Sequence, residues 1–199
     1  MSRFKLRSFL TLIAFAGILG GCCLQSIPKA KNSVDAALAE TTNQYKRRSD
    51  LIPNLVNIVK GYAEHEKDTL TAVIEARAKA TQINVDAGSI APEKLQQYIQ
   101  AQGQLSQALG KLMVVSERYP DLKANQNFRD LSAQLEGTEN RITVARQRYI
   151  ESIKVFNDLI TVPPSSFTNS LIYHHEKMPQ WTVSDAEKQV IEQAPKVEF

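Results

Sequence analysis

The sequence predicts an all-α protein. The expected architecture is an antiparallel bundle of long helices, close to a four-helix bundle, whose long first helix is kinked near Pro53 and whose C-terminal tail is short and helical or extended. Three observations carry this. Apolar residues recur at steps of three and four through most of the chain, the mark of one buried helical face. Gly and Pro gather near the N-terminus and at the joints between the periodic blocks. Aliphatic residues are abundant while aromatic ones make up only 7%, which favours helices over a β-sandwich.

The first block covers residues 33–82, with apolar positions at Val34, Leu38, Tyr45, Ile52, Leu55, Val59, Tyr62, Leu70 and Val73. Pro53 interrupts it. It could open a fresh helix capped by Asp50, where its missing N–H is harmless. Helical pattern on both sides favours instead a kink in one continuous helix. The second block starts near Pro92, after the loop residues Asp86, Gly88 and Ser89. It carries Leu95, Tyr98, Leu105, Leu109, Leu112 and Tyr119 and stops at Pro120. The third, residues 125–162, has the cleanest spacing: Phe128, Leu131, Leu135, Thr138, Ile142, Ala145, Tyr149, Ser152, Phe156 and Leu159. That is the heptad seam of a left-handed bundle or coiled coil, and Pro163-Pro164 ends it.

Residues 33–162 therefore form the expected bundle core. Short loops between long helices force antiparallel neighbours, and a helix of about 40 residues extends about 60 Å, so a rod is expected. In the tail, residues 163–199, Ser165–Tyr173 reads as a short helix and 174–180 as a loop. Ser184-x-x-Glu187 is a capping box opening a small helix to about Gln193. The tail is expected to pack on or near the bundle through Trp181 and Phe199.

Residues 1–21 read as a lipoprotein signal peptide: a basic stretch, an apolar run from Phe9 to Leu19, then Gly20-Gly21 before Cys22. The run is about a dozen residues, shorter than the roughly 20 that span hydrocarbon comfortably. Leu19-Gly20-Gly21-Cys22 resembles the lipobox of bacterial lipoproteins, which implies lipidation of the Cys22 thiol and cleavage after Gly21. The competing reading is an uncleaved anchor from about Phe9 to Leu24. Both make the membrane a partner and put the rest of the chain outside the cytoplasm. Residues 22–32 are then a lipid-proximal tether, with 25–32 as a polar spacer. In a host with two membranes, the lack of Asp after Cys22 points to the periplasmic face of the outer membrane. Otherwise the outer face of the cytoplasmic membrane is expected.

The formal charge of +3 belongs to the leader. Removing Arg3, Lys5 and Arg7 from the 24 basic residues leaves 21 against 21 acidic ones. A neutral chain offers no stripe to neutralise phosphates, so no nucleic-acid partner is expected. Cys22 and Cys23 are the only cysteines, and adjacent cysteines cannot form an unstrained disulfide, so packing must hold the fold.

Two stretches go beyond a generic bundle. One is Tyr45 followed by Ile52-Pro53-Asn54-Leu55-Val56-Asn57, then Tyr62-Ala-Glu-His65-Glu66 and Ala76-Arg77-Ala78. The other is Tyr119-Pro120, Leu122-Lys123-Ala124, Phe128, Leu131, Leu135-Glu136-Gly137-Thr138-Glu139-Asn140-Arg141-Ile142, Ala145-Arg146 and Tyr149. With a closing Pro195-x-Val197-x-Phe199, they resemble the LemA family over about residues 30–165, and more loosely to the end. The resemblance implies a membrane-anchored, extracytoplasmic helical bundle and assigns it no reaction. The chain departs from the family near 174–181, where Met178-Pro-Gln-Trp181 replaces a Pro-Tyr-Phe-like element.

Catalytic constellations fail on spacing. A di-iron bundle needs Glu-x-x-His twice, and none of His65, His174 and His175 lies three residues after a glutamate. His65-Glu66 lacks the second histidine of a zinc-protease helix. His174-His175 lacks a third ligand. No catalytic residue, metal or cofactor is expected, and the chain reads as a non-enzyme. A polar cluster remains: Thr138 on the third seam, beside Glu139, Asn140 and Arg141, and Glu66 on the first. Buried charges persist only when paired. The cluster is thus either a polar layer, with Glu66 and Glu139 meeting Arg77 or Arg141 to fix register, or a surface for a protein partner in the envelope. The expected function is a non-enzymatic interaction or scaffold protein. The competing one is an envelope hydrolase or small-ligand binder with a polar cleft.

Overall fold

The computed structural model describes residues 2–83, 85 and 91–181, with side chains from Leu24 onward. The Cys22 side chain, the loop residues Asp86, Gly88 and Ser89, the capping box at Ser184 and Glu187, and the Pro195–Phe199 ending lie outside the described residues.

The chain is all-α. Helix α1 spans Ser2–Tyr62, α2 Lys67–Gln82, α3 Pro92–Ser116, α4 Pro120–Ala124, α5 Gln126–Thr161 and α6 Ser165–Thr168, followed by a π-helical turn at Asn169–Tyr173. No strand occurs among the described residues, and none of their helices is long and apolar enough to cross a membrane.

Two expectations are corrected. The first block does not run to residue 82. It continues through Pro53 and breaks at residues 63–66, where no proline signals a stop. Pro53 is exposed, while Ile52, Leu55 and Val56 beside it are buried. Packing on that face outweighs the roughly 3 kcal/mol cost of an interior proline. Residues 25–32 are not an irregular spacer: they belong to α1, and Ile27 and Ala30 are buried.

The structure divides into two compact units. One joins the chain up to Ala37 with Arg148–Gln180, and the other joins Leu38–Gln147 with Trp181. In the first, Ile27 and Val34 of α1 and Tyr149, Ile153, Phe156 and Ile160 of α5 are buried. Two asparagines pin the segment after the π-helical turn as backbone would. The Asn157 amide donates to the Met178 carbonyl at 2.9 Å and accepts from the Met178 N–H at 2.9 Å. Asn169 does the same with His175, at 3.0 and 2.9 Å. His174 adopts the left-handed conformation, φ 53°, that ends the turn. The His175 ring stacks on Tyr173 at 5.8 Å, so this histidine is used in packing.

In the second unit, residues 38–62 of α1, α2, α3 and residues 126–147 of α5 form a four-helix bundle with α4 at one joint. Cross-helix pairs show the directions. Arg48 of α1 meets Glu139 of α5, and fourteen residues further along α1 Tyr62 meets Asn125, fourteen residues back and just before α5. These two helices are antiparallel. Tyr45 and Arg48 meet Tyr98 and Gln102 in rising order, so α1 and α3 run the same way. Asn125 also caps α5, its side-chain oxygen accepting from the Phe128 N–H at 3.0 Å. The contiguous core includes Leu55, Val59, Val73, Leu105, Leu112 and Leu122, each contributing about 1.5–3 kcal/mol by leaving water. Of the expected core positions, Tyr62 is exposed and Tyr119 half-buried.

Burial, reinforced by the Asp35 charge, pushes the Tyr149 hydroxyl from 10.0 up to about 12. Its pKa is raised on folding, so its contribution is complete below pH 10 and is lost as pH rises from 10 through 12. Tyr149→Phe is expected to lose less stability than the wild type across that window in denaturant titrations. Parallel loss in both proteins would remove Tyr149 as a cause.

Candidate functional site

The site is a polar layer across the second unit, at one end of its apolar core. Its centre is Arg48, whose side chain is 0% exposed. Each long helix contributes at a position its own stripe leaves open. On α1 the buried steps run Leu38, Thr41, Tyr45, Arg48, Ile52. On α3 they run Leu95, Tyr98, Gln102, Leu105. On α5, Thr138 sits between Leu135 and Ile142. A polar residue thus occupies a heptad slot on all three helices, and the fold brings those slots together.

The Arg48 guanidinium is held from both neighbouring helices. Nη1 donates to Glu139 Oε1 at 2.6 Å and to Ser106 Oγ at 2.7 Å. Nη2 donates to Gln102 Oε1 at 2.6 Å and to the Gln102 carbonyl at 3.1 Å. The cation lies over the Tyr45 ring, 5.0 Å from its centroid. Tyr45 in turn packs edge-on against Tyr98 at 5.6 Å and stacks on Trp181 at 6.4 Å, with Arg146 over the Trp181 ring at 5.3 Å. Gln102 extends the layer to α2, its amide donating to the Ala80 carbonyl at 3.4 Å. Burial, with Tyr45 adding to it, pushes the Tyr98 hydroxyl well above the ordinary tyrosine range against the opposing Arg48 charge and Gln102 side chain.

The expected site residues separate into three groups. Glu139 and Thr138 belong to the layer. Thr138 is fully buried, and its hydroxyl is satisfied within α5 by the Gln134 carbonyl at 2.7 Å, which explains a threonine on an apolar seam. Glu139 pairs with Arg48, not with Arg77 or Arg141 as expected, because neither of those comes from the helix face opposite it. Glu66 lies elsewhere, at the N-terminus of α2. It accepts from Tyr119 Oη at 3.1 Å and pairs with Arg118 at 3.0 Å, fastening the α1–α2 turn to the α3–α4 joint. Arg77 donates to the Ser49 carbonyl at 2.8 Å, tying α2 to α1. Asn140 and Arg141 are exposed and outside the layer. Sequence reasoning missed Arg48, Gln102 and Ser106. The seven-residue gaps from Tyr45 to Ile52 and from Tyr98 to Leu105 were the signal that could have found the first two.

Three openings flank the layer, one of them a pocket of about 510 Å³ lined by Tyr45, Ser49, Asp50, Tyr98 and Gln102 among others. A recess of about 90 Å³ is lined by Arg48, Gln102, Ser106, Glu139 and Arg146 among others. A groove of about 710 Å³ runs between α3 and α5, floored by Leu109, Met113, Phe128 and Leu135 and walled by Ser106, Gly110, Ser132 and Ala133, with Glu136, Glu139, Lys123 and Arg129 along its edges. Among the described residues no three of His, Cys, Asp and Glu gather as a metal would need.

The LemA family model matches residues 37–199, most of the chain and all of this layer. The chain belongs to the LemA family. It is similar to Protein LemA of Metamycoplasma hominis, 25% identical over 65% of this chain and 56% of that protein. It is also similar to the magnetosome protein MamQ of Magnetospirillum gryphiswaldense, 24% identical over 66% of this chain and 57% of that protein. The chain thus spans little more than half the length of these two relatives.

Glu139 is 44% exposed and can return to water, whereas Arg48 cannot. Glu139→Gln, which leaves the buried cation without its anion, is expected to cost about 2–3 kcal/mol. Arg48→Met combined with Glu139→Gln is expected to cost less than the two singles together, with a coupling of about 1–3 kcal/mol in a denaturation cycle. Additive, near-neutral singles would refute the layer as a register device.

Proposed function

We propose that this LemA-family chain is a non-enzymatic interaction or scaffold protein of the cell envelope, tethered to a membrane through lipid on Cys22 and facing away from the cytoplasm. The observation that carries the interaction reading is the α3–α5 groove. It is apolar along its floor and edged by both signs of charge, the lining that suits the apolar face of a partner helix. The polar layer beside it supports the same reading. Both terminal nitrogens of Arg48 and a carboxylate oxygen of Glu139 are engaged with one another and with Gln102 and Ser106, so the layer acts as a fastening. The competing reading, a hydrolase or small-ligand binder in a polar cleft, would use the opening of about 510 Å³ beside Tyr45, Tyr98 and Gln102, which is of ordinary ligand-site size. The recess at Arg48 itself holds only about 90 Å³, room for a few waters.

The tether rests on the leader: a short apolar run and two glycines before Cys22. Multiple acyl chains, each buried methylene contributing about 0.8 kcal/mol, would hold the chain stably. The periplasmic face of an outer membrane is the proposed site where the host has one. Cys22→Ala is expected to leave an unprocessed, unlipidated chain, read by mass spectrometry of the mature N-terminus. A wild-type chain that is itself unprocessed would overturn lipidation in favour of the uncleaved anchor.

Gly110 tests the groove. A Cβ there meets nothing within 4 Å, so Gly110→Leu fills the groove while stability holds or rises by up to about 1 kcal/mol from improved helix propensity. In-cell cross-linking is expected to join the wild type to an envelope protein and to lose that product with Gly110→Leu. An unchanged product with the groove filled would exclude it as the contact.

A further inference from the structure

Helix α6 and its π-helical turn are inside out. The residues they bury are polar, Ser165 and Asn169, while Phe167, Leu171 and Ile172 are 65%, 79% and 55% exposed. Scattered apolar residues on a surface need no explanation, but a cluster does. Of the six large apolar side chains more than half exposed among the described residues, four lie in residues 162–172, Val162 being the fourth. The inversion is held firmly, since Asn169 is clamped to His175 through both ends of its amide.

The same element is fastened to the start of the described fold. The Tyr173 hydroxyl donates to the Leu24 carbonyl at 2.8 Å, and Leu24 is itself partly exposed. Helix α1 is continuous through this point. At 1.5 Å per residue, Leu24 stands only about 3 Å along the axis from Cys22 and about 7.5 Å from Leu19, where the apolar run of the leader ends. Lipid on Cys22 and an uncleaved anchor therefore both bring the bilayer to within about two turns of Leu24, where Tyr173 fastens the element that carries the exposed cluster. Tyrosine, an amphipathic ring with a hydrogen-bonding tip, is also suited to the headgroup level.

We infer that α6 and the π-helical turn form a membrane-contact surface, seating Phe167, Leu171 and Ile172 at the headgroup–acyl boundary of the membrane that holds the chain. This rests on the proposed tether. Cys22 or its leader supplies the attachment, and the cluster fixes the angle at which the first unit stands on the lipid. Three apolar side chains lying in the interface reinforce an anchor without replacing it.

The test uses the full chain in vesicles of phosphatidylethanolamine and phosphatidylglycerol, with and without lipids brominated in the upper acyl chain. Phe167→Trp adds a reporter in the cluster. Arg148→Trp adds one at an exposed position of the same unit, thirteen residues along α5 from its end and thus about 20 Å away along the axis. Flotation of both, with blue-shifted and strongly quenched emission from Phe167→Trp alone, is the expected result. Flotation with equal quenching of the two reporters overturns the membrane-contact surface and leaves the tether standing. Failure to float overturns the tether and this inference with it. An unquenched Phe167→Trp, together with loss of a protein cross-link in Leu171→Ser, would overturn it in favour of a protein partner. Leu171→Ser removes no core contact at 79% exposure, so its thermal midpoint is expected to stay at the wild-type value.

Discussion

A guanidinium taken wholly out of water must find partners or unfold the region around it. In this protein that constraint falls on Arg48, and its solution ties three helices together. Two donors reach α3 at Gln102 and Ser106, one reaches α5 at Glu139, and the Tyr45 ring covers a face of the cation. A slip of either neighbouring helix by one heptad would put Leu109 opposite Arg48 in place of Gln102, or Arg146 in place of Glu139. The first leaves a donor unmet and the second sets like charges together. The apolar seams would tolerate such slips, because leucines and valines repeat at the same steps, so the polar layer supplies the discrimination that the seams lack.

The remaining polar contacts work at the ends of the bundle. Glu66 fastens the α1–α2 turn to Tyr119 and Arg118, and Asn125 caps α5 while receiving α1 at Tyr62. With these the second unit is fastened at a polar layer and at two joints, and the α3–α5 groove lies between helices held by those contacts. The open space at Gly110 and the small residues along both helices keep that groove unfilled. A preformed groove suits recognition, since little ordering entropy is lost on binding.

Membership of the LemA family sets the frame for the whole chain, and the two units divide the tasks proposed within it. The second carries the Arg48 layer and the groove. The first carries the tyrosine contact to Leu24 and an element whose polar residues point inward and apolar residues outward. An inverted amphipathic element has no folding rationale of its own, because burying Phe167 or Leu171 in place of Ser165 would release more apolar surface from water. Its pattern makes sense when the outward side meets an apolar environment.

The helical class, most of the buried faces and the family were legible in the residues alone. Period determines face, and the third seam from Phe128 to Phe156 was legible because a helix buries every third or fourth residue whatever lies opposite. Thr138 was legible as a polar intruder for the same reason. Tertiary structure alone decided what each face meets. Glu139 pairs with Arg48, 91 positions away, and nothing in local spacing separates that partner from Arg77 or Arg141. It also decided the break at residues 63–66, where Glu66 gains contacts on the α3–α4 joint that a straight helix would forgo, and the continuity through Pro53, where packing of Ile52 and Leu55 outweighs a local penalty. The exposure of Phe167 and Leu171 belongs to the same class. A run of apolar residues in one chain reads as core until the three-dimensional arrangement fixes which side is covered.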